Sequence, residues 1–156
     1  MPLRSAGLLL YRYREAAIEL LIAHPGGPYW RNKDEGAWSI PKGEYAGDED
    51  PLAAAQREFA EELGHPAPPG PYVELDAVRQ KSGKVVVAWA VEADLDVTTI
   101  ASNTFEIEWP PRSGRTQEFP EVDRAEWCAP SLARHRLVSA QSEFVDRLLA
   151  AIEPHR

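Results

Sequence analysis

Short runs of mostly apolar residues predict two β-hairpins in the chain. The first pair of runs occupies residues 5–13 and 17–24, separated by the turn Arg-Glu-Ala. The second pair occupies residues 72–80 and 84–92, on either side of Lys-Ser-Gly. Runs of this length, bounded by turn-forming residues, are typical of strands. The chain is therefore expected to start with β-structure and to return to it after an intervening segment.

That intervening segment contains apolar positions at helical spacing. The apolar stripe comprises Leu52, Ala55, Phe59 and Leu63. Asp50 is a favourable N-cap residue, and Pro51 suits the first helical position. Gly64 can adopt the left-handed conformation that commonly ends a helix. A helix with one apolar face is therefore predicted between Asp50 and Gly64.

The remaining pattern predicts loops, three short strands and a helical last part. Residues 25–36 and 110–123 are rich in glycine, proline and polar residues, which indicates loops. The short strands are predicted at residues 37–41, 103–109 and 124–129. Residues 130–152 are predicted to form two helices that meet near residues 138–142. The order of strands, helix, strands and helices indicates an α+β fold or an α-β-α sandwich, in a single domain over residues 1–156.

Composition and charge restrict the possible classes of function. The chain has 156 residues and a net charge of −8, which argues against broad binding to nucleic acid or anionic membranes. Its apolar runs are too short to span a bilayer. The single cysteine, Cys128, excludes an internal disulfide and fits a cytoplasmic protein. A phosphate-bearing ligand remains compatible with these features, because it needs only local cations.

The predicted helix places three glutamates next to one another on one side, where their like charges repel. Glu58, Glu61 and Glu62 fall within one arc of the helix, beside the apolar stripe. Like charges at this spacing destabilise an isolated helix by about 0.2–0.5 kcal/mol per pair. Clustered carboxylates are the ligands that Mg²⁺ or Mn²⁺ prefers. The alternative interpretation is an acidic patch that is simply solvated.

The surroundings of these glutamates resemble the Nudix box, the signature of the Nudix hydrolase family. Residues 43–65 read GEYAGDEDPLAAAQREFAEELGH. The matching residues are Gly43, Glu49, Arg57, Glu58, Phe59, Glu61, Glu62 and Gly64. His65 stands where a bulky aliphatic residue is usual, and we expect this to alter packing more than chemistry. The segments LRSAGLLLY, WSIPKGE and EVDRAEW extend the similarity over most of the chain.

The resemblance implies a mixed sheet between helices and an enzyme that hydrolyses phosphoanhydride bonds. Its substrate would be a nucleoside diphosphate linked to another group. The glutamates Glu58, Glu61 and Glu62 would bind Mg²⁺ or Mn²⁺ and would thereby take part in catalysis.

Other box residues are expected to be structural. Gly43 and Gly64 would permit tight backbone turns at the two ends of the box. Glu49 would pair with Arg57 and hold the loop against the helix.

The resemblance also suggests functional residues outside the box. Lys42 would face substrate phosphate, although a solvated loop lysine is the alternative. A further carboxylate for metal binding or catalysis would come from a later loop, from Glu118 or Glu121. We favour Glu121, because it stands six residues before Trp127, a spacing similar to that in related proteins. Both could also be loop acids without a role.

The remaining candidates would contact substrate directly. Arg112 and Arg115 could bind phosphates, and Tyr45 could stack on a base. A solvated loop is the alternative for the two arginines. Other aromatic candidates are Tyr29, Trp30 and Trp38, with the alternative that they belong to the core; Trp38, in a predicted short strand, is expected in the core or a pocket wall. The four histidines show no metal-ligand spacing and are assigned no function.

Two segments bear on the substrate. WSIPKGE, together with the first strand LRSAGLLLY, resembles the branch of the family that hydrolyses dinucleoside polyphosphates. Diadenosine tetraphosphate would then be cleaved to ATP and AMP by a monomer or homodimer. The alternatives are a nucleoside triphosphate, ADP-ribose, or a domain that senses a nucleotide without cleaving it. All the box glutamates are present, which favours the enzyme over the sensor.

Overall fold

A six-stranded mixed sheet forms the centre of the molecule, which a computed structural model describes over residues 3–152. The strands are β1 (Arg4–Arg14), β2 (Ala17–Pro25), β3 (Lys42–Glu44), β4 (Val73–Arg79), β5 (Val85–Glu92), β6 (Thr104–Glu108), β7 (Thr116–Pro120) and β8 (Val122–Cys128). The α-helices are α1 (Pro51–Leu63), α2 (Pro130–Arg136) and α3 (Ser142–Ile152). A 3₁₀ turn at Ser139–Gln141 separates α2 from α3, which confirms the predicted break.

The strands of the main sheet run in the order β4-β5-β1-β2-β8, and β3 pairs with the beginning of β1. The two predicted hairpins are present, as the antiparallel pairs β1–β2 and β4–β5. Strands β1 and β5 pair in parallel, with Ser5 opposite Val86. This parallel pair makes the sheet mixed, as predicted.

Helices cover both faces of the sheet. Leu8 and Leu10 of β1 belong to the apolar cluster beneath α1. Leu9, which points to the opposite face, packs in the cluster that contains residues of α2 and α3. Successive side chains of a strand alternate between faces, so one strand contributes to both clusters. The sandwich of a sheet between helices is thereby confirmed.

Helix α1 begins and ends where the sequence predicts. The side chain of Asp50 accepts a hydrogen bond from the Ala53 N–H at 3.0 Å. Gly64 has a φ of 72°, and its N–H donates to the Ala60 carbonyl at 2.8 Å. Phe59 and Leu63 are fully buried, so the apolar face anchors the helix to the sheet. In the described part of the chain, no helix combines the length and apolar character needed to cross a membrane.

The predicted strand at residues 37–41 is wrong. Trp38 and Ser39 make only isolated bridges, to Leu137 and Ala23 respectively. The strand lies directly after Pro41, at β3, where Lys42 pairs with Gly7. Proline has no N–H to donate to a ladder, and the partner strand lies far away in the sequence. Local pattern therefore could not locate this strand.

The predicted long loop at residues 110–123 is wrong in part. Residues Thr116–Pro120 form β7, which pairs with β6 as a separate two-stranded sheet. Phe105 lies opposite Phe119 in this hairpin. Most other side chains of β7 are exposed, so the apolar alternation that identifies a strand is weak there. The prediction of strands at residues 103–109 and 124–129 is confirmed by β6 and β8.

Candidate metal and substrate site

The carboxylate of Glu58 lies directly against the backbone of Gly43. A Cβ at residue 43 would overlap that carboxylate in its present position, so glycine permits this close approach. Gly43 belongs to β3, and its φ lies outside the left-handed region. The predicted role of Gly43 in a tight turn is therefore wrong, and its function is close contact with Glu58. The corresponding prediction for Gly64 is confirmed by its left-handed φ.

A second glutamate of α1, Glu62, faces the same strand. Its Oε1 accepts a hydrogen bond from the Lys42 N–H at 3.1 Å. Burial, together with the negative charges of Glu121 and Glu58, raises the pKa of Glu62 to about 7 against the opposing effect of Lys42. The pKa of Glu58 is also raised, chiefly by burial and in part by Glu61 and Glu121. Glu121 thus lies close enough to both helix glutamates to repel them.

Arg57 contacts three glutamates of this acidic cluster. Its Nε and Nη2 each lie 3.0 Å from a carboxylate oxygen of Glu49, which is the predicted pairing. Its Nη1 donates to Glu58 at 2.8 Å and lies 3.4 Å from Glu61. Hydrogen bonding to Arg57 lowers the pKa of Glu49. The guanidinium therefore holds the loop before α1 against the helix and offsets part of its negative charge.

Replacing Arg57 by alanine is expected to lower both stability and activity. The Arg57→Ala variant loses the bidentate pair with Glu49 and removes the guanidinium group that offsets the charges of Glu58 and Glu61. The melting temperature therefore falls by several degrees. The matched control is Arg134→Ala, because the side chains of Arg134 and Arg57 are both 40% exposed, and Arg134 makes a single ion pair with Asp146. Thermal denaturation measures the difference. Equal melting temperatures for the two variants would contradict the structural role of Arg57.

A cavity of about 200 Å³ opens beside the glutamates. Its lining includes Trp30, Ile40, Lys42, Glu62, Glu121 and Val122. Burial, with the nearby charge of Lys84, lowers the pKa of Lys42, while Glu62 opposes that shift. The lining of the cavity thus combines charged and apolar side chains, which suits a ligand with both phosphate and base.

The chemistry of the cluster fits a hard divalent cation. Carboxylate oxygens are the donors that Mg²⁺ and Mn²⁺ prefer. The raised pKa values of Glu58 and Glu62 reflect burial and mutual repulsion, which a cation would relieve. Within residues 3–152, no three acidic, histidine or cysteine side chains already converge as a metal-binding group. Binding of a divalent cation would therefore require carboxylate side chains to rotate. Glu58 and Glu61 would have to turn away from Arg57.

Four other predicted site residues lie apart from this cavity. Glu118 is exposed in β7 opposite Glu106, whereas Glu121 lines the cavity. Arg112 and Arg115 are exposed in the turn of the β6–β7 hairpin. Tyr45 is half-buried and packs against the apolar cluster beneath α1. The roles of these four residues in binding stay predictions.

Among the aromatic candidates, Trp30 lines the cavity. It is 42% exposed and lines the cavity with Lys42 and Glu62. Trp38, by contrast, is fully buried, and its indole N–H donates to Asp34 at 2.6 Å. The sequence named both residues as candidates; the expectation that Trp38 belongs to the core or to a pocket wall is confirmed by its burial, whereas the exposure of Trp30 depends on tertiary packing.

Comparison with known proteins identifies the sequence family and the fold. The family described as NUDIX domain matches residues 1–148. No curated protein sequence matches the chain.

Solved structures share the fold at low sequence identity. The Caenorhabditis elegans Ap4A hydrolase binary complex is 20% identical, with a TM-score of 0.69 and coverage of 96% of this chain and 98% of that one. The NUDIX domain of Shewanella oneidensis NrtR, complexed with ADP ribose, is 14% identical, with a TM-score of 0.66 and coverage of 97% and 89%. A mutT/nudix family protein from Listeria innocua is 14% identical, with a TM-score of 0.65 and coverage of 99% and 97%.

Proposed function

We propose, since the chain belongs to the NUDIX domain family, that it is a divalent-metal-dependent pyrophosphohydrolase that cleaves diadenosine tetraphosphate to ATP and AMP. The chain is a Nudix hydrolase, an enzyme acting on pyrophosphate bonds. The observation that carries the finer proposal is that Glu62, Glu121 and Lys42 line one cavity, with Glu58 close enough to Glu62 to raise its pKa.

The proposed roles follow from position and charge. Glu58, Glu61 and Glu62 would hold the cation from α1, and Glu121 would face it from the turn before β8. A bound divalent cation supplies charge neutralisation of the phosphates and lowers the pKa of an attacking water. Lys42 binds a substrate phosphate from β3. A glutamate of this cluster accepts the proton of the attacking water.

Three features support a dinucleoside polyphosphate as substrate. The WSIPKGE segment contributes Ser39, Ile40 and Lys42 to the cavity. Trp30 presents an aromatic surface at the same cavity, where a base could stack. A solved structure with the same fold is an Ap4A hydrolase. ADP-ribose is the second candidate, because the similar NrtR domain is complexed with that ligand.

Cysteine usage bears on where this reaction would take place. Cys128 is buried and unpaired, which is compatible with a reducing compartment. We therefore assign the activity to the cytoplasm, with a nucleotide as the partner molecule and a monomer or homodimer as the acting species.

A product assay tests the proposed function. The purified protein is incubated with Mg²⁺ and, separately, diadenosine tetraphosphate, ADP-ribose, and normal and oxidised nucleoside triphosphates. Equal amounts of ATP and AMP from the tetraphosphate are expected. Faster cleavage of another compound would keep the chemistry and reject the substrate. Nucleotide binding without cleavage of any compound would instead support a sensor.

A further inference from the structure

His24, near the end of β2, is a buried polar residue that joins two separate segments. It is fully buried. Its Nε2 lies 2.7 Å from the Lys33 carbonyl and donates to it, because a carbonyl can only accept. Its Nδ1 lies 2.9 Å from Oδ1 of Asp123. The imidazole therefore bridges the loop that follows β2 and the beginning of β8.

Both segments lead directly to the cavity. Lys33 stands three residues after Trp30, and Asp123 stands two residues after Glu121. Trp30 and Glu121 both line the cavity. The bridge made by His24 thus lies just behind two residues that would contact substrate or metal.

Backbone contacts near the beginning of the loop also join it to the segment that carries Glu121. The Gly26 N–H donates to the Glu121 carbonyl at 2.9 Å. A Cβ at residue 26 would overlap the Pro120 carbonyl, so the two backbones are in close contact. The loop and the turn that carries Glu121 are therefore one packed unit.

The ring of His24 is itself held in a defined orientation. It contacts the Trp38 ring edge to face, with centroids 5.1 Å apart. The Trp38 indole N–H in turn donates to Asp34, the residue after Lys33. These contacts leave the imidazole few alternative orientations and attach the far end of the loop to the core.

We propose that His24 is a positioning residue for hydrolysis. Through Lys33 it holds the loop of residues 25–36, which carries Trp30 (the Trp30 loop). Through Asp123 it holds the turn at Glu121 that precedes β8 (the Glu121 turn). The inference rests on the proposed function, since it assumes that Trp30 and Glu121 act at this cavity. His24 touches neither substrate nor metal and acts only through these two segments.

Two amide substitutions separate the two contacts of His24. In His24→Asn the amide nitrogen is as far along the side chain as Nδ1, so it can donate to Asp123 but does not reach Lys33. In His24→Gln the amide nitrogen corresponds to Nε2, so it can donate to Lys33 but loses Asp123. His135→Asn is the control, because His135 is an exposed histidine that faces Glu35 of the same loop.

Steady-state kinetics, measured well below the melting temperature of each variant, are expected to differ between the two substitutions. His24→Asn frees the Trp30 loop and raises KM about three- to tenfold, with kcat changed by less than about twofold. His24→Gln frees the Glu121 turn and lowers kcat about three- to tenfold, with KM nearly unchanged. His135→Asn leaves both constants as in the wild type. Unchanged constants, or the same change in both His24 variants, would overturn the proposal.

Hydrogen exchange of the intact protein tests the positioning role without any substrate. Amides of residues 25–36 are expected to exchange about three- to tenfold faster in His24→Asn than in His24→Gln. Equal exchange in the two variants would overturn the proposal. If the wild type cleaves no compound of the panel, the proposed function fails, and the exchange result still decides whether His24 holds the loop.

Discussion

Removal of divalent metal ions is expected to reduce hydrolysis by this protein to the background rate. The Glu58 and Glu62 carboxylates are partly desolvated and lie near Glu121, so the cluster without a cation would repel an anionic polyphosphate. Arg57 pairs with Glu58, and Lys42 opposes the raised pKa of Glu62, but the protein as a whole carries a net charge of −8. Phosphoanhydride cleavage here therefore depends on a cation that offsets the charge of both partners.

The metal requirement can be measured by chelation and restoration. The protein is treated with excess chelator, assayed on the substrate panel, and assayed again after Mg²⁺ or Mn²⁺ is added beyond the chelator. Full recovery shows that chelation did not denature the protein. A rise in melting temperature with added Mg²⁺ provides a readout that is independent of activity, because a ligand of the folded state stabilises it. Hydrolysis that survives chelation would contradict the proposed chemistry.

The Glu62→Gln variant is expected to lose about 10²–10³-fold in kcat, because it removes a cation ligand and a group that can accept a proton. The amide is nearly the same size as the carboxyl group, and its oxygen can still accept from the Lys42 N–H. The fold should therefore be retained. The matched control is Glu106→Gln, which removes the same charge from an exposed position in β6. Activity near the wild-type level in Glu62→Gln would refute the assignment of this glutamate.

The difference in stability between this variant and the wild type should depend on pH in a defined direction. Burial raises the pKa of Glu62 from 4.5 to about 7, so the folded state holds this proton more tightly than the unfolded state does. The resulting stabilisation is complete below pH 4.5 and is lost as the pH rises through 7. In metal-free buffer, the melting temperature of Glu62→Gln relative to the wild type should therefore increase between pH 4.5 and about 8. A constant difference would show that Glu62 is not perturbed as described.

Features that depend on neighbours along the chain could be predicted from the sequence. Asp50 caps α1 and Gly64 ends it through hydrogen bonds within a few residues, so both termini could be predicted. The spacing of Glu58, Glu61 and Glu62 places them on one side of any helix, whatever packs against it. The turns at residues 14–16 and 81–83 join adjacent strands, and both hairpins were predicted for that reason.

Features whose partners are distant in sequence could be identified only from the tertiary structure. Strand β3 exists because it pairs with β1, and the absence of a side chain at Gly43 lets the Glu58 carboxylate of another element lie against it. The sequence favoured Glu121 over Glu118 only by its spacing to Trp127, and in the folded protein Glu121 lines the cavity whereas Glu118 is exposed in β7. Trp30 was one aromatic residue among several until packing buried Trp38. Spacing along the chain carries no information about these contacts, because each one depends on how separate elements pack together.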